Sequence, residues 1–285
     1  MRPNVSDDNL WLVVRFLDEQ QRGSVLARDS VIKLGRVAYI VREVQDGSQE
    51  GPQAVSDTET SEGDLDSEDI PEEREENLCR ICYERERSKA DPLLSHCKCE
   101  GSVKYIHLNC LKSWLRSKVM TRASDSSMTY QWKTLECEIC KTELPFTLNY
   151  RGTSLSLFDF DKPQTPYIVL EAYSAGRSTT KAMHVISMTE GKTSIRLGRG
   201  HESDIRINDI SVSRCHALIK FKEGQFVIED NSSKFGTLVK VNQMIRVPKV
   251  GKVALQAGRS LVFVSEGQDS GRPRKAGIRD IESSE

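Results

Sequence analysis

The stretch CRICYERERSKADPLLSHCKCEGSVKYIHLNCLKSWL at residues 79–115, followed by CEIC at 137–140, decides the architecture of this chain. It brings together Cys79, Cys82, Cys97, Cys99, His107, Cys110, Cys137 and Cys140. The spacing reads C-x2-C, fourteen residues, C-x-C, seven residues, H-x2-C, twenty-six residues, C-x2-C. Structural zinc takes tetrahedral sets of thiolates and imidazoles, commonly supplied by pairs at such short spacing. Eight ligands make two sets. One C-x2-C pair also occurs in redox sites, but four consecutive pairs point to metal. Cys215 lies well outside the cluster.

Composition narrows the rest. A chain of 285 residues holds two small domains or one large one. With 41 basic and 42 acidic residues, the whole chain does not read as a nucleic-acid binder. Its hydrophobic content of 37% is low for a fully globular protein, so part of it is expected to be unfolded. No apolar run approaches the roughly 18 residues needed to span a bilayer, and MRPNVSDDNL lacks a secretory pattern. The expectation is a soluble protein without a membrane span, cytoplasmic or nuclear. In a reducing compartment, clustered cysteines are metal ligands rather than disulfides.

The chain divides by character. Residues 1–45 form a short β-rich segment of unknown role, with strand-like runs at Trp11–Phe16 and Val31–Val44. Val37, Tyr39 and Val41 alternate as in a half-buried strand. So few strands make no core of their own and must pack on another part of the molecule. Residues 46–76 hold thirteen Asp or Glu against one basic residue, Arg74, and read as a disordered acidic linker. The zinc region spans 77–146 and a connector 147–165. Short strand-like runs then recur at Tyr167–Tyr173, Ser194–Leu197, Ala217–Phe221, Gln225–Ile228, Thr237–Val241 and Ser260–Val264. Separated by Gly, Asn, Asp and Ser, they predict a β-sandwich over 166–266. Residues 267–285, with the basic Arg272–Lys275, read as a disordered, solvated tail.

The ligand order, four Cys, one His, three Cys, is shared by PHD fingers and RING-CH domains. The one-residue and seven-residue gaps, with CRIC, PLLSHCKCEGSVKYIHLNCLKSWL and CEIC around them, resemble the RING-CH (RINGv) domain of the membrane-associated ubiquitin ligases. The resemblance implies a small α+β cross-brace. Cys79, Cys82, His107 and Cys110 would bind one Zn²⁺, and Cys97, Cys99, Cys137 and Cys140 a second. His96, beside Cys97, is read as a bystander because the set is complete without it. The long gap before Cys137 implies an inserted loop around Thr121–Thr129. Between Cys79 and Pro145, twelve Lys or Arg outnumber eight Asp or Glu, and such basic neighbours help keep thiolates ionised. The family docks a ubiquitin-charged conjugating enzyme on positions that here are Ile81 and Trp114, while Lys141 occupies the place of a basic residue bridging that enzyme and ubiquitin. Where RING domains often have Pro between the last two ligands, this chain has Glu138 and Ile139. No catalytic residue is expected, since a closed four-coordinate site leaves no free thiolate.

Further on, LGRG at 197–200, SRCH at 213–216 and DNSSKFGT at 230–237 resemble, in that order and spacing, a forkhead-associated (FHA) domain. That resemblance implies an all-β sandwich binding phosphothreonine peptides. Arg199 and Ser213 would take the phosphate, and Arg214 and Lys234 would add positive potential. His216 would brace the loop from beneath. Phe235 stands where the family commonly has an Asn that bonds the peptide backbone, and nearby Asn231 is a candidate substitute.

Together the readings predict a multidomain protein: a two-zinc RING-CH cross-brace followed by an FHA sandwich. The function they imply is a ubiquitin ligase whose partners are a charged conjugating enzyme and a phosphothreonine-containing protein. The alternative is a non-catalytic zinc-finger/FHA adaptor. Thr58 and Thr60, among carboxylates, are further candidates for occupying FHA loops once phosphorylated.

Overall fold

Near the N-terminus the chain forms four strands, β1 (Leu10–Val13), β2 (Ser24–Val25), β3 (Val31–Leu34) and β4 (Val37–Gln45), so the single run expected over Val31–Val44 is split into an antiparallel pair by the turn at Gly35-Arg36. A 3-10 turn, Val14–Phe16, follows β1. The computed structural model describes residues 9–17, 23–47, 63–64, 77–85, 88, 90–145, 147–164, 166–173, 180–189, 191–245, 247, 251–266 and 278–280. The chain forms two compact units. One comprises 1–3, 50–121 and 131–162; the other 4–49, 122–130 and 163–285.

The first unit carries the eight candidate ligands. Its elements are β5 (Gly63–Asp64), β6 (Leu93–Leu94), β7 (Ile106–His107), α1 (Leu108–Ser117), part of a hairpin β8 (Met120–Ser124) and β9 (Ser127–Lys133), then β10 (Thr147–Tyr150) and β11 (Thr153–Ser156). Gly63–Asp64 pairs in parallel with Leu148–Asn149. Apart from these two residues and 46–47, the expected acidic linker lies outside the described residues, Thr58 and Thr60 included. Helix α1 buries Leu108, Leu111 and Leu115, the i, i+3, i+7 stripe of an amphipathic helix. Its first turn is capped from outside: Asp91 Oδ1 accepts the Asn109 N–H at 2.7 Å. Trp132, Phe158 and Phe160 form an aromatic group, the two Phe rings 4.7 Å apart.

The second unit adds β12 (Tyr167–Tyr173), β13 (Thr180–Ser187), β14 (Ser194–Gly198), β15 (Ile205–Arg206), β16 (Ala217–Lys222), β17 (Gln225–Asp230), β18 (Thr237–Lys240), β19 (Val253–Ala257), β20 (Ser260–Val264) and β21 (Ile278–Asp280). One sheet runs β21-β20-β19-β1-β18-β3-β4-β12-β13, and the hairpin tip, residues 122–130, lies beyond β13, where Ser126 O accepts the Ser187 N–H at 3.0 Å. The facing sheet runs β15-β14-β16-β17-β2. The loop expected around Thr121–Thr129 is therefore an ordered hairpin.

The N-terminal segment is structural to this sandwich. β3 pairs with β18, β4 with β12, β1 with both β18 and β19, and β2 with β17. Ile32, Leu34, Tyr39 and Val41 enter the core between the sheets alongside Ile168, Ile195, Ile219 and Phe226. Alternation sends Val31 and Ile40 to the opposite face, where they join Trp11, Val13, Leu238 and Ala254. Residues 166–266 alone therefore lack the centre of the larger sheet. Gln45 pairs directly with Tyr167, so everything between them is an insertion into one antiparallel strand pair. In the tail, Ile278–Asp280 pairs with β20; the rest of 267–285 lies outside the described residues. Among the described residues no helix is long and apolar enough to cross a membrane.

Candidate functional site

Each C-x2-C pair sits on the same tight backbone knuckle. Tyr83 N–H donates to the Cys79 carbonyl at 2.9 Å and Lys141 N–H to the Cys137 carbonyl at 3.0 Å. The residue after each second cysteine takes a left-handed conformation, Tyr83 with φ +61 and Lys141 with φ +60. These turns aim both thiols of a pair at one point. The His107–Cys110 pair comes from the start of α1, and Cys97 and Cys99 from the loop between β6 and β7.

The ligand atoms fall into two groups, each with its members within 4.8 Å of one another: Cys79, Cys82, His107 and Cys110; and Cys97, Cys99, Cys137 and Cys140. This interleaved division is the one implied by the resemblance. His107 Nδ1 lies 3.2 Å from Cys82 Sγ, and Cys137 Sγ lies 3.7 Å from both Cys97 and Cys99. Three thiols with an imidazole, and four thiols, are soft donor sets suited to a metal ion. Burial raises the Cys79 thiol pKa, but the N–H groups of Cys82, His107 and Ile81 outweigh it and bring the group down to about 7. In Cys97, burial and neighbouring thiols push the value up to about 12. A metal binding here must displace protons from such groups.

Arg80 escaped the sequence reading. It sits between two ligands of the first set, yet its guanidinium reaches the second: Nη1 is 3.5 Å from Cys99 Sγ and Nη2 3.7 Å from Cys137 Sγ. Nη1 also donates to the Val103 carbonyl at 3.1 Å. One side chain thus joins the two sets and places positive charge against the four-cysteine group. Its adjacency to Cys79 was visible in sequence, but its target was not. His96 is buried, with neither ring nitrogen hydrogen-bonded, and lies outside both metal groups. Burial, aided by the Arg80 charge, lowers its pKa to about 4.

Each C-x2-C pair presents an apolar side chain to solvent, Ile81 in the first group and Ile139 in the second. Ile81 is 42% exposed and Ile139 57%. Trp114 follows Cys110 by one helical turn and is half-buried; Lys118 Nζ stands 5.3 Å from its ring centroid and pairs with Glu138 at 2.6 Å. Lys141 is exposed and lies 3.6 Å from Glu136, an ion pair of little energetic weight.

In the second unit, three loops meet at one end of the sandwich. Arg199 N–H donates to the Ser213 carbonyl and Gly200 N–H to the Arg214 carbonyl, each at 3.0 Å. Gly198 permits this approach, since a Cβ there would lie 2.7 Å from the Arg214 carbonyl carbon. The Ser213 hydroxyl accepts the Lys234 N–H at 3.0 Å, leaving its own proton to donate outward. Beneath them, His216 Nδ1 accepts the Ser213 N–H at 3.1 Å, so Nε2 carries the proton and donates to the Gly236 carbonyl at 3.1 Å. Burial lowers the His216 pKa, which suits this neutral bracing role. Arg199, Arg214 and Lys234 are exposed on this edge. Asn231 is exposed, and its Nδ2 donates to the Cys215 carbonyl at 3.3 Å. Phe235 is 53% exposed, with Lys234 Nζ 5.4 Å from its ring centroid.

Comparison with known families fits both sites. Residues 79–140 match the RING-variant domain and residues 195–264 the FHA domain, so the chain carries one of each. It is 30% identical over 174 residues to the E3 ubiquitin-protein ligase MARCHF7 of Pongo abelii, covering 58% of this chain and 21% of that protein. It is 44% identical over 72 residues to the probable E3 ubiquitin-protein ligase MARCHF10 of Rattus norvegicus, covering 25% of this chain and 8% of that one. The ERAD-associated E3 ubiquitin-protein ligase DOA10 of Saccharomyces cerevisiae is 33% identical over 89 residues, 28% of this chain and 7% of the relative. The chain thus spans about a fifth or less of the length of these relatives. No solved structure matches.

Proposed function

We propose that this chain is a RING-type ubiquitin ligase that selects phosphothreonine-bearing targets. The observation that carries this reading is two complete four-ligand groups inside a RING-variant domain, with Ile81 exposed beside the first. Zn²⁺ is the ion such thiolate-rich tetrahedral sets take, one per group. Cys79, Cys82, His107 and Cys110 would hold one ion and Cys97, Cys99, Cys137 and Cys140 the other, and with four protein ligands each it would supply rigidity rather than a reactive position. The cysteines are therefore scaffold, not nucleophiles.

Ile81 and Trp114 offer the apolar contact for a conjugating enzyme charged with ubiquitin, and Lys141 stands after the last ligand to contact that enzyme and ubiquitin together. Transfer is then direct: a substrate lysine attacks the thioester carbonyl and the conjugating enzyme's thiolate leaves. On the sandwich, Arg199 and the Ser213 hydroxyl bind phosphate, with Arg214 and Lys234 adding charge. Tethering the two modules raises the effective concentration of substrate lysines near the thioester.

The test is discharge of ubiquitin from a panel of charged conjugating enzymes. Wild type accelerates discharge, and Ile81→Ala or Trp114→Ala abolishes the acceleration with metal content unchanged. Absence of acceleration across the panel sinks the ligase reading and leaves a phosphopeptide adaptor.

A further inference from the structure

The edge bearing Arg199, Ser213, Arg214 and Lys234 is not built from the C-terminal strands alone; two arginines arrive from the N-terminal segment. Arg36, in the β3–β4 turn, donates its backbone N–H to Ser211 Oγ at 2.9 Å, and its guanidinium lies 3.5 Å from Asp209. Arg15, in the turn after β1, donates from Nη1 to the Ser233 carbonyl at 3.3 Å. A Cβ on Gly236 would stand 3.6 Å from Arg15 Cζ, so the guanidinium flanks the turn that presents Lys234 and Phe235. Arg15 is exposed.

Two of the carboxylates among these loops, Asp209 and Asp230, are committed to other groups. Asp209 accepts from the Ser211 N–H and hydroxyl and faces Arg36. Asp230 accepts from Ser233 N–H and hydroxyl and from the Thr237 hydroxyl. Among the described residues Arg15 contacts a carbonyl oxygen and, 5.1 Å away, the Phe16 ring, and neither neutralises its charge. Its remaining N–H donors form a fork suited to a carboxylate.

We infer that Arg15 provides a second anion contact on this edge, so that its ligand is a phosphothreonine peptide carrying further carboxylates. The inference rests on the phosphopeptide reading of the same loops. The phosphate goes to Arg199 and Ser213, and a flanking Asp or Glu to Arg15. Such a sequence exists within this chain: residues 52–66, PQAVSDTETSEGDLD, place Thr58 and Thr60 among Asp57, Glu59, Glu62, Asp64 and Asp66.

The probe is that fifteen-residue peptide, phosphorylated on Thr58 or on Thr60, with its carboxylates intact or replaced by Asn and Gln. Binding to the full chain is followed by fluorescence polarisation, with unphosphorylated peptide alongside. Wild type prefers the acidic phosphopeptide over the neutralised one by about fivefold, the upper size of one exposed charge contact, and added salt shrinks the preference. Arg15→Ala removes the preference and Arg15→Lys keeps part of it, whereas Arg199→Ala weakens both phosphopeptides alike. Equal binding of acidic and neutralised phosphopeptides by wild type, or a preference that survives Arg15→Ala, overturns the inference and leaves the phosphopeptide reading standing. If phosphorylation improves binding of no peptide, both fall.

Discussion

His184 lies on β13 inside the sandwich, 3% exposed, with Nδ1 2.9 Å from the Thr129 hydroxyl. Burial lowers its pKa from 6.5 to about 4. A base with a depressed folded-state pKa stays neutral in the folded protein while the unfolded chain takes up a proton, so its stabilisation is complete above pH 6.5 and is lost as pH falls towards 4. The shift corresponds to a loss on the order of 3 kcal/mol across that window. Urea midpoints of the sandwich should therefore drop between pH 7 and 4.5, and His184→Leu should flatten the slope; an unchanged slope would refute this role. Sequence alone marked His107 and His216 through their motifs, but His184 stands in β13, outside the strand-like runs the sequence offered, and only packing shows what surrounds it. Arg80 teaches the same lesson at the metal sites.

At the scale of elements, two hairpins in one sheet use the same device. β3–β4 turns on Gly35-Arg36 and β19–β20 on Gly258-Arg259, with the glycines at φ +58 and +55, the signature of a two-residue turn with Gly first. Gly35 carries a second constraint, because a Cβ there would lie 2.6 Å from the Ser211 carbonyl oxygen. The turn thus clamps the loop that leads to Ser213. Gly35→Ala should cost roughly 1–3 kcal/mol by denaturant unfolding, and phosphopeptide affinity should fall with it. Full retention of both would show that the clamp is dispensable. Alternation around Val37, Tyr39 and Val41 announced β4, but the single run Val31–Val44 hid the Gly35-Arg36 turn that separates β3 from it, and it could not name their neighbours. A strand's side-chain pattern specifies which face is buried, not which distant strand supplies the hydrogen bonds.

For the whole molecule, the consequence is an interrupted sandwich. The strands β1–β4 and those from β12 onward build one sandwich, and the unit carrying the two Cys/His groups arises from the chain between Gln45 and Tyr167. The expected boundary at 166 therefore cuts through a folding unit. Residues 166–266 expressed alone should show no cooperative unfolding, whereas 1–47 joined through a short Gly-Ser turn to 163–266 should unfold in a single transition. The reverse result would mean that the C-terminal strands close a core by themselves.

What the sequence determined by itself was whatever depends on local spacing: seven cysteines and a histidine in four short pairs suited to metal, and three loop motifs ordered along a run of strands. Chelation and tight turns involve residues near one another in the chain, so their geometry is written in the gaps. The tertiary structure alone decided the place of residues 10–45, the reach of Arg80 from one ligand set to the other, and the arrival of Arg15 beside Ser233. Each depends on contacts between segments far apart in sequence, and these are fixed only when burying both faces of the larger sheet selects one strand order from the many that the same alternation permits.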